Sequence, residues 1–162
     1  MRETGDKLAG LLFNDNHNLV FLHNTKKREV AEQIMQDGFQ FENQLTYSTD
    51  RVSARDAVEI SYFLVERKDY GHFTIIIEID RKLFMRYSKL AETSDLHFED
   101  LLTITIPELS DNDEFIYTLS PHYIKCYFNN KTGEVVENPI FDPLYESPVY
   151  LDNFSRLKES LQ

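Results

Sequence analysis

The order of apolar and polar positions predicts short strands separated by helices in the first half of the chain. The clearest stretch is Asn18–Asp50, which begins with a continuous apolar strand at Leu19–His23. A short apolar run without alternation is typical of a strand buried in a sheet. An amphipathic helix follows, because apolar residues recur there at helical spacing. These residues are Val30, Ala31, Ile34 and Met35.

Polar residues and glycine mark the ends of that helix. Asn24 or Thr25 is expected to cap its N-terminus, since such side chains accept hydrogen bonds from free backbone N–H groups. Gly38 is expected to end it, because glycine adopts the left-handed conformation at little cost. Gln40–Gln44 is then expected to be a polar connection and Leu45–Thr49 a second short strand.

Two side chains able to bind a ligand stand on these strands, His23 at the end of the first and Tyr47 within the second. A polar residue at the end of a strand lies at the edge of a sheet, where clefts form. Because one short helix joins the two strands, we expect His23 and Tyr47 to share a cleft.

The middle of the chain predicts a helix, a central strand and another helix. Ser53 and Asp56 have the spacing of a capping box, so a second helix is expected to begin near Ser53. Phe73–Ile79 is rich in β-branched residues and lacks strict alternation, which is typical of a central strand buried on both faces. Asp80–Leu90 is expected to form a short helix over the sheet, and Ala91–Glu99 a loop.

The second half of the chain predicts mainly strands. They are expected at Leu102–Ile106, Glu114–Leu119, Lys125–Phe128 and Val135–Glu137, with a turn at Pro121–Ile124. The last two strands flank an Asn-Asn-Lys-Thr-Gly turn, which indicates a hairpin. Beyond them, Ile140–Tyr150 is expected to be an extended cover segment and Leu151–Gln162 a short helix. The resulting fold class is α+β, with a mixed or mainly antiparallel sheet.

The composition indicates one globular domain. The chain has 162 residues, 41% of them hydrophobic, and this length suffices for one buried core. We expect a single domain over residues 1–162, with its core at about 18–138 and the cover segment at 139–162. The formal net charge of −11 argues against sequence-independent nucleic-acid binding, which depends on neutralising phosphates.

The sequence is typical of a cytoplasmic protein. Its one cysteine, Cys126, excludes an internal disulfide and lies in an apolar run, where a buried and inert thiol is expected. The N-terminus lacks the apolar core of a signal peptide. No stretch approaches the roughly 18 apolar residues of a transmembrane helix, so no membrane partner is expected.

Several common kinds of site are missing from the sequence. The five glycines form no phosphate-binding loop, so a classical dinucleotide domain or NTPase is not expected. None of the five histidines has metal-ligand spacing, and no metal site is predicted. Asp111 and Asp113 are expected in a solvated turn. Glu114 differs because it opens an apolar strand, from which its side chain can face the predicted cleft.

Four motifs together resemble the ADP-ribosyltransferase superfamily, in its His-Tyr-Glu branch, which includes poly(ADP-ribose) polymerases and diphtheria-toxin-like enzymes. The first is FLHNT at Phe21–Thr25, followed by a helix and a glycine stop. The second is TYSTD at Thr46–Asp50, and the third is the strand FTIIIEID at Phe73–Asp80. The fourth is DEFIYTLSPHYIKCYF at Asp113–Phe128. Their order covers roughly residues 18–130.

The resemblance implies a cleft for NAD, the co-substrate, between two small sheets. In it His23 hydrogen-bonds the adenosine ribose, Tyr47 stacks on the nicotinamide ring and Ser48 hydrogen-bonds the carboxamide. Glu114 accepts a hydrogen bond from the nicotinamide ribose and stabilises positive charge as the glycosidic bond breaks. Asn24 stands where the family has glycine, and its side chain is expected to crowd the cleft or shift the backbone.

The function implied is that of an NAD-dependent mono-ADP-ribosyltransferase, which cleaves the nicotinamide–ribose bond and transfers ADP-ribose to an acceptor. The acceptor is not identified by the sequence, although a protein side chain is one candidate, and Ala91–Asp113 is a candidate acceptor-facing segment. The arginine-specific branch fits worse, because His23 stands where that branch has arginine.

Two alternatives stay open at the level of sequence. The first is a catalytically silent relative, whose cleft binds a nucleotide or another ligand without turnover. A small acidic interaction or inhibitor protein also agrees with the charge of −11.

Overall fold

The computed structural model describes residues 7, 8, 10–12, 18–47, 49–52, 71–92, 99, 102, 103, 108, 109, 111, 112 and 114–146. In chain order the strands are β1 (Leu19–Thr25), β2 (Phe39–Glu42), β3 (Asp50–Val52), β4 (Phe73–Ile79), β5 (Glu108–Leu109), β6 (Phe115–Leu119), β7 (Ile124–Asn129) and β8 (Val135–Glu137). The α-helices are α1 (Arg28–Asp37) and α2 (Arg81–Glu92). The fold is α+β, as the sequence predicts.

The strands form two sheets. A five-stranded sheet has the order β3-β1-β4-β7-β8, and a three-stranded sheet has the order β2-β6-β5. All pairings between the described strands are antiparallel. The sequence left open a mixed or a mainly antiparallel sheet, and the antiparallel arrangement is the one found.

Strand β4 lies at the centre of the larger sheet, which confirms the prediction for Phe73–Ile79. Its isoleucines alternate between the two faces. Ile75 and Ile77 join the core between the sheets, together with Phe21 of β1. Ile76 faces the other way and packs with Leu8 of the N-terminal helical residues. Since both faces are covered, the strand has no need of polar alternation.

The predicted cap of α1 is wrong. The residue before the helix is Lys27, whose side chain makes no capping hydrogen bond, while Asn24 and Thr25 belong to β1. The predicted end is confirmed, because Gly38 has φ 99° and its N–H donates to the carbonyl oxygen of Ile34 at 2.9 Å.

The predicted strand at Leu45–Thr49 is also wrong. Leu45–Tyr47 is a 3-10 turn, and the strands on either side of it are β2 and β3. Strand β2 lies partly within Gln40–Gln44, the predicted polar connection. The burial of its side chains alternates as in a strand, because Phe39 and Phe41 are buried while the residues between and after them are exposed. Such period-two burial is characteristic of a strand at a sheet surface.

Strands β6, β7 and β8 agree with the sequence, whereas β3 and β5 were not predicted. The hairpin of β7 and β8 and the strand β6 are confirmed, and Pro121–Tyr123 forms a 3-10 turn.

Helix α2 runs to Glu92, so the predicted loop Ala91–Glu99 begins too early. Residues 140–146 follow β8 as turns rather than as an extended segment, since the side chains of Asn138 and Asp142 accept hydrogen bonds from Ile140 N–H and Leu144 N–H.

Several predictions lie outside the described residues. They are the helix near Ser53, most of the strand Leu102–Ile106 and the helix at Leu151–Gln162. Thr103, within the second of these, forms an isolated bridge with Leu119. Among the helices that the structure describes, none is long and apolar enough to cross a membrane.

A candidate cleft between the two sheets

A cleft of about 370 Å³ opens where β1 of the larger sheet meets α1 and the smaller sheet. Its lining mixes apolar, amide, hydroxyl and carboxylate groups around one histidine. The lining residues are His23, Val30, Gln33, Ile34, Asp37, Gly38, Phe39, Gln40 and Thr118. The prediction that His23 ends the first strand is wrong, because β1 continues for two residues to Thr25; His23 lines the cleft from within the strand.

His23 enters the cleft because of its position on β1. It shares a strand face with Phe21, which lies in the core between the sheets. The described pairing of β3 with β1 ends at Leu22, one residue before His23. The imidazole packs against the ring of Phe39, with 4.7 Å between ring centroids and 52° between planes. This contact holds the ring half-buried at the mouth of the cleft.

Gly38 shapes the floor of the cleft. A Cβ at this position would lie 2.3 Å from the backbone oxygen of Leu119, and the φ of 99° is one that side-chain-bearing residues rarely adopt. Only glycine lets the corner between α1 and β2 approach β6 this closely. The corner then presents Asp37 and Gln40 to the same space.

Asn24 does not line the cleft. Neighbouring residues of a strand project to opposite faces, so its side chain lies on the face away from His23. There it is 9% exposed and donates hydrogen bonds to Thr74 Oγ1 at 3.0 Å and to the Gly71 carbonyl oxygen at 3.2 Å. The expected crowding by this side chain is therefore absent.

Glu114 lies immediately before β6, on the outer face of the smaller sheet. Gln40 pairs with Thr118 and both line the cleft, and the next pair on that face is Glu42 with Ile116. Alternation places Glu114 on the same face again. Thr118 follows Glu114 by four residues, which is about 14 Å along an extended strand. Glu114 therefore shares a face with Gln40 and Thr118, but it is not among the residues that line the cleft.

Tyr47 ends the 3-10 turn that connects the two sheets. The turn follows Glu42 and is held by a hydrogen bond of 2.9 Å from Thr49 Oγ1 to the Leu45 carbonyl oxygen. Asp50 then pairs with Leu22, next to His23. The backbone of Tyr47 therefore lies on the segment that leads from the Glu114 end of the face to the edge of β1. Ser48 lies outside the described residues.

Carboxylates dominate the electrostatics of this region. Asp37 is the acidic residue among the described lining residues. Further along the face, a hydrogen bond with Glu42 raises the pKa of the Glu114 carboxyl, and the negative charge of Glu42 and partial desolvation add to the effect. Within the described part of the chain, no group of three potential metal ligands comes together.

Glu42, which shares this face, and Gln40 and Thr118, which line the cleft, are not predicted from the sequence. The signal for the first two was the alternation of Phe39 to Glu42, which turns Gln40 and Glu42 toward one face. Thr118 follows from the same rule applied to β6. What the sequence alone does not give is the register that sets Gln40 opposite Thr118.

A second groove, of about 810 Å³, lies along α2 and carries none of the predicted site residues. Arg81, Lys82 and Arg86 border it, and Arg86 forms an ion pair with Glu146. Asp80 and Glu146 also line the groove, so charges of both signs border it.

No protein-family model, characterised protein or solved structure matches this chain.

Proposed function

We propose that this protein is an NAD-dependent mono-ADP-ribosyltransferase whose site runs from the His23 cleft along the outer face of β2 and β6 to Glu114. The observation that carries the proposal is the shared face. Gln40 and Thr118 line the cleft with His23, and Glu114 follows them on the same side of the same sheet. Glu114 is not among the lining residues of the cleft, and its place on the same face as Thr118 is what supports a site that includes both His23 and Glu114.

The length of that surface suits a dinucleotide. Thr118, in the cleft with His23, and Glu114 mark the two ends of a stretch of about 14 Å along the chain. A single nucleoside cannot contact both ends, whereas NAD carries one ribose at each end of a pyrophosphate. His23 then binds the adenosine ribose and Glu114 the nicotinamide ribose.

The proposed reaction needs only side chains that bind the two riboses and a carboxylate beside the bond that breaks. As the bond between ribose C1′ and the nicotinamide nitrogen breaks, its electron pair leaves with neutral nicotinamide. C1′ gains oxocarbenium character, which the ionised carboxylate of Glu114 stabilises. The acceptor or water forms the new bond to C1′ and loses its proton. The placement of Asn24 supports the proposal, because its side chain leaves the His23 end open.

The setting we propose is the cytoplasm, with an acceptor of undetermined class. The single buried thiol of Cys126 agrees with a reducing compartment. Much of Ala91–Asp113, the proposed acceptor-facing segment, lies outside the described residues.

A catalytically silent binding protein is the second candidate, and Asp37 favours it. A carboxylate in the cleft opposes the negative pyrophosphate of NAD, and so does the adjacent pair of Glu42 and Glu114. A neutral or cationic ligand meets no such repulsion. In that case the cleft binds without turnover.

Binding and turnover measured on the same samples separate the two candidates. Thermal unfolding with and without NAD reports binding, because a ligand of the folded state raises Tm. Chromatography of released nicotinamide reports the reaction. Stabilisation with release supports the enzyme, stabilisation without release supports the silent binder, and absence of both refutes NAD as the ligand. Asp37→Asn should increase the stabilisation by NAD, and Glu92→Gln, an exposed carboxylate at the end of α2, is the charge-matched control.

A further inference from the structure

A short N-terminal helical segment covers the outer face of the larger sheet. Its described residues are 7, 8 and 10–12, which we call the strap. Leu8 and Leu12 of the strap are 1% and 5% exposed, and they form one buried cluster with outward-facing residues of β1, β4 and β7. The sheet residues of this cluster are Val20, Leu22, Ile76, Cys126 and Phe128. The strap therefore shields an apolar face of the sheet from solvent.

Two lysine side chains attach the strap to the body of the protein. Lys7 Nζ donates to the carbonyl oxygen of Gly133 at 3.1 Å, in the turn that joins β7 to β8. Lys125 Nζ donates to the carbonyl oxygen of Leu11 at 2.9 Å. Because Gly133 follows the end of β7 and Lys125 lies near its start, the strap runs along this strand. Cys126 lies between the two attachments.

A shift in strand register explains why Lys125 reaches the strap. The pairing of β4 with β7 shifts between Ile76 and Ile77, and Lys125 is the extra residue of β7 at this point. Its two neighbours consequently face opposite sides, since Ile124 joins the core between the sheets and Cys126 joins the outer cluster. Such irregularities redirect side chains at a sheet surface.

The strap depends on the sheet more than the sheet depends on the strap. Short helical segments are unstable in water unless an apolar face is packed. Within the described part of the chain, no backbone-to-backbone hydrogen bond joins the strap to the sheet. The strands beneath it are joined to each other by backbone pairing along β1, β4 and β7, and they pack on their other face against the main core. Detachment of the strap therefore leaves the pairing of the sheet intact.

We propose that the strap opens and closes as a unit while the two sheets stay folded, and that this movement controls access to the outer face of β7, where Cys126 lies. Opening of a segment without global unfolding is expected where few buried contacts hold it. The proposal is independent of the proposed enzymatic function, because the residues that line the cleft with His23 and the strap lie on opposite faces of the larger sheet.

The test is the rate at which an aromatic disulfide reagent labels Cys126 at pH 8, measured at urea concentrations below the unfolding transition. The Cys126 thiolate attacks the reagent, a protein–reagent disulfide forms and the other half of the reagent leaves as a thiolate. Since the chain has one cysteine, the signal reports this position alone. Opening of the strap exposes little surface, so we expect a rate that hardly changes with urea until the transition is approached.

Three variants separate the strap from the core. Leu8→Ala should raise the labelling rate at low urea by roughly 30-fold or more, up to the rate of the unfolded chain, because it weakens only the closed strap. Leu83→Ala is the matched control, since this leucine is 4% exposed but belongs to the core between the sheets. It should lower the midpoint of global unfolding and leave the labelling rate at low urea unchanged. Lys7→Met removes the hydrogen bond to Gly133 and should raise the rate by roughly 2- to 12-fold.

A wild-type rate that rises with the urea dependence of global unfolding, from the lowest urea concentration onward, overturns the proposal. A Leu83→Ala variant that is labelled as fast as Leu8→Ala does so too. Because the sheets stay folded when the strap is open, Leu8→Ala must itself remain folded, which circular dichroism checks. An unfolded Leu8→Ala variant would show that the strap is an integral part of the fold and would likewise overturn the proposal.

Discussion

The imidazole of His23 packs against the ring of Phe39 and so joins the two sheets at the mouth of the cleft. The ring centroids are 4.7 Å apart. The two residues are buried differently, because Phe39 is 4% exposed and continues into a stack with Phe41, while His23 is half-buried. The contact therefore combines a core residue with one that is accessible to a ligand.

Truncating these two residues should have unequal effects. Phe39→Ala is expected to lower the free energy of unfolding by about 3 to 5 kcal/mol, the usual cost of removing a buried aromatic side chain. His23→Ala should cost clearly less, and it should abolish any stabilisation by NAD. Urea unfolding with and without NAD measures both. Equal losses of stability in the two variants would contradict this account of the contact.

Gly38→Ala should damage the corner that forms the floor of the cleft. The added Cβ would meet the Leu119 carbonyl oxygen at 2.3 Å in a backbone conformation with φ 99°. We expect a loss of about 2 kcal/mol or more in thermal or denaturant unfolding. Gly10→Ala is the matched control, because its Cβ would meet nothing within 4 Å and alanine favours a helix. A stable Gly38→Ala variant would contradict the geometry of this corner.

The buried carboxylate of Glu78 depends on Lys125. The side chain of Glu78 is 6% exposed, and its oxygens accept hydrogen bonds from Lys125 Nζ at 3.3 Å and from Asn18 Nδ2 at 3.1 Å. Lys125→Met should lower the free energy of unfolding by on the order of 2–3 kcal/mol, because it leaves the buried carboxylate without its counter-charge. Adding Glu78→Gln should restore much of the loss. A double variant as unstable as the sum of the single ones would show that the two residues do not interact.

Cys126 should be inert in the folded protein. Burial raises the pKa of its thiol to about 12, from an ordinary value of 9.0. Disulfide reagents at pH 8 should therefore react with the thiol only as fast as the protein opens. Because the folded state holds the proton more tightly than the unfolded state, stability should fall as pH rises from 9 toward 12. Rapid labelling of native protein would contradict the burial of this residue.

The sequence predicts the larger sheet better than the site. Phe73–Ile79 is recognisable because a continuous β-branched run suits only a strand covered on both faces. The hairpin follows from its turn residues. The short strand β2 was not predicted, because four residues that follow a helix-ending glycine resemble a loop. Only the alternation of apolar and polar residues within them indicates a strand.

The members of the site were harder to predict because they depend on register and face. If the predicted first strand had included Asn24, the alternation of side chains along a strand would have placed Asn24 on the face opposite His23. This orientation could therefore be predicted from the sequence. The placement of Glu42 and Glu114 on one face of the smaller sheet cannot be read from the sequence, because it depends on the pairing of two strands far apart along the chain. Long-range register is set by packing of the whole core rather than by local propensity.

The most direct test of the central claim is the rate of nicotinamide release from NAD by the wild type and by Glu114→Gln, with Glu92→Gln as the control for lost charge. Glutamine keeps the shape of the side chain but cannot stabilise a developing cation by charge. The account predicts release by the wild type, unchanged release by Glu92→Gln, and a loss of about 100-fold or more in Glu114→Gln. Wild-type release that survives in Glu114→Gln, or folded wild-type protein that releases no nicotinamide, would contradict it.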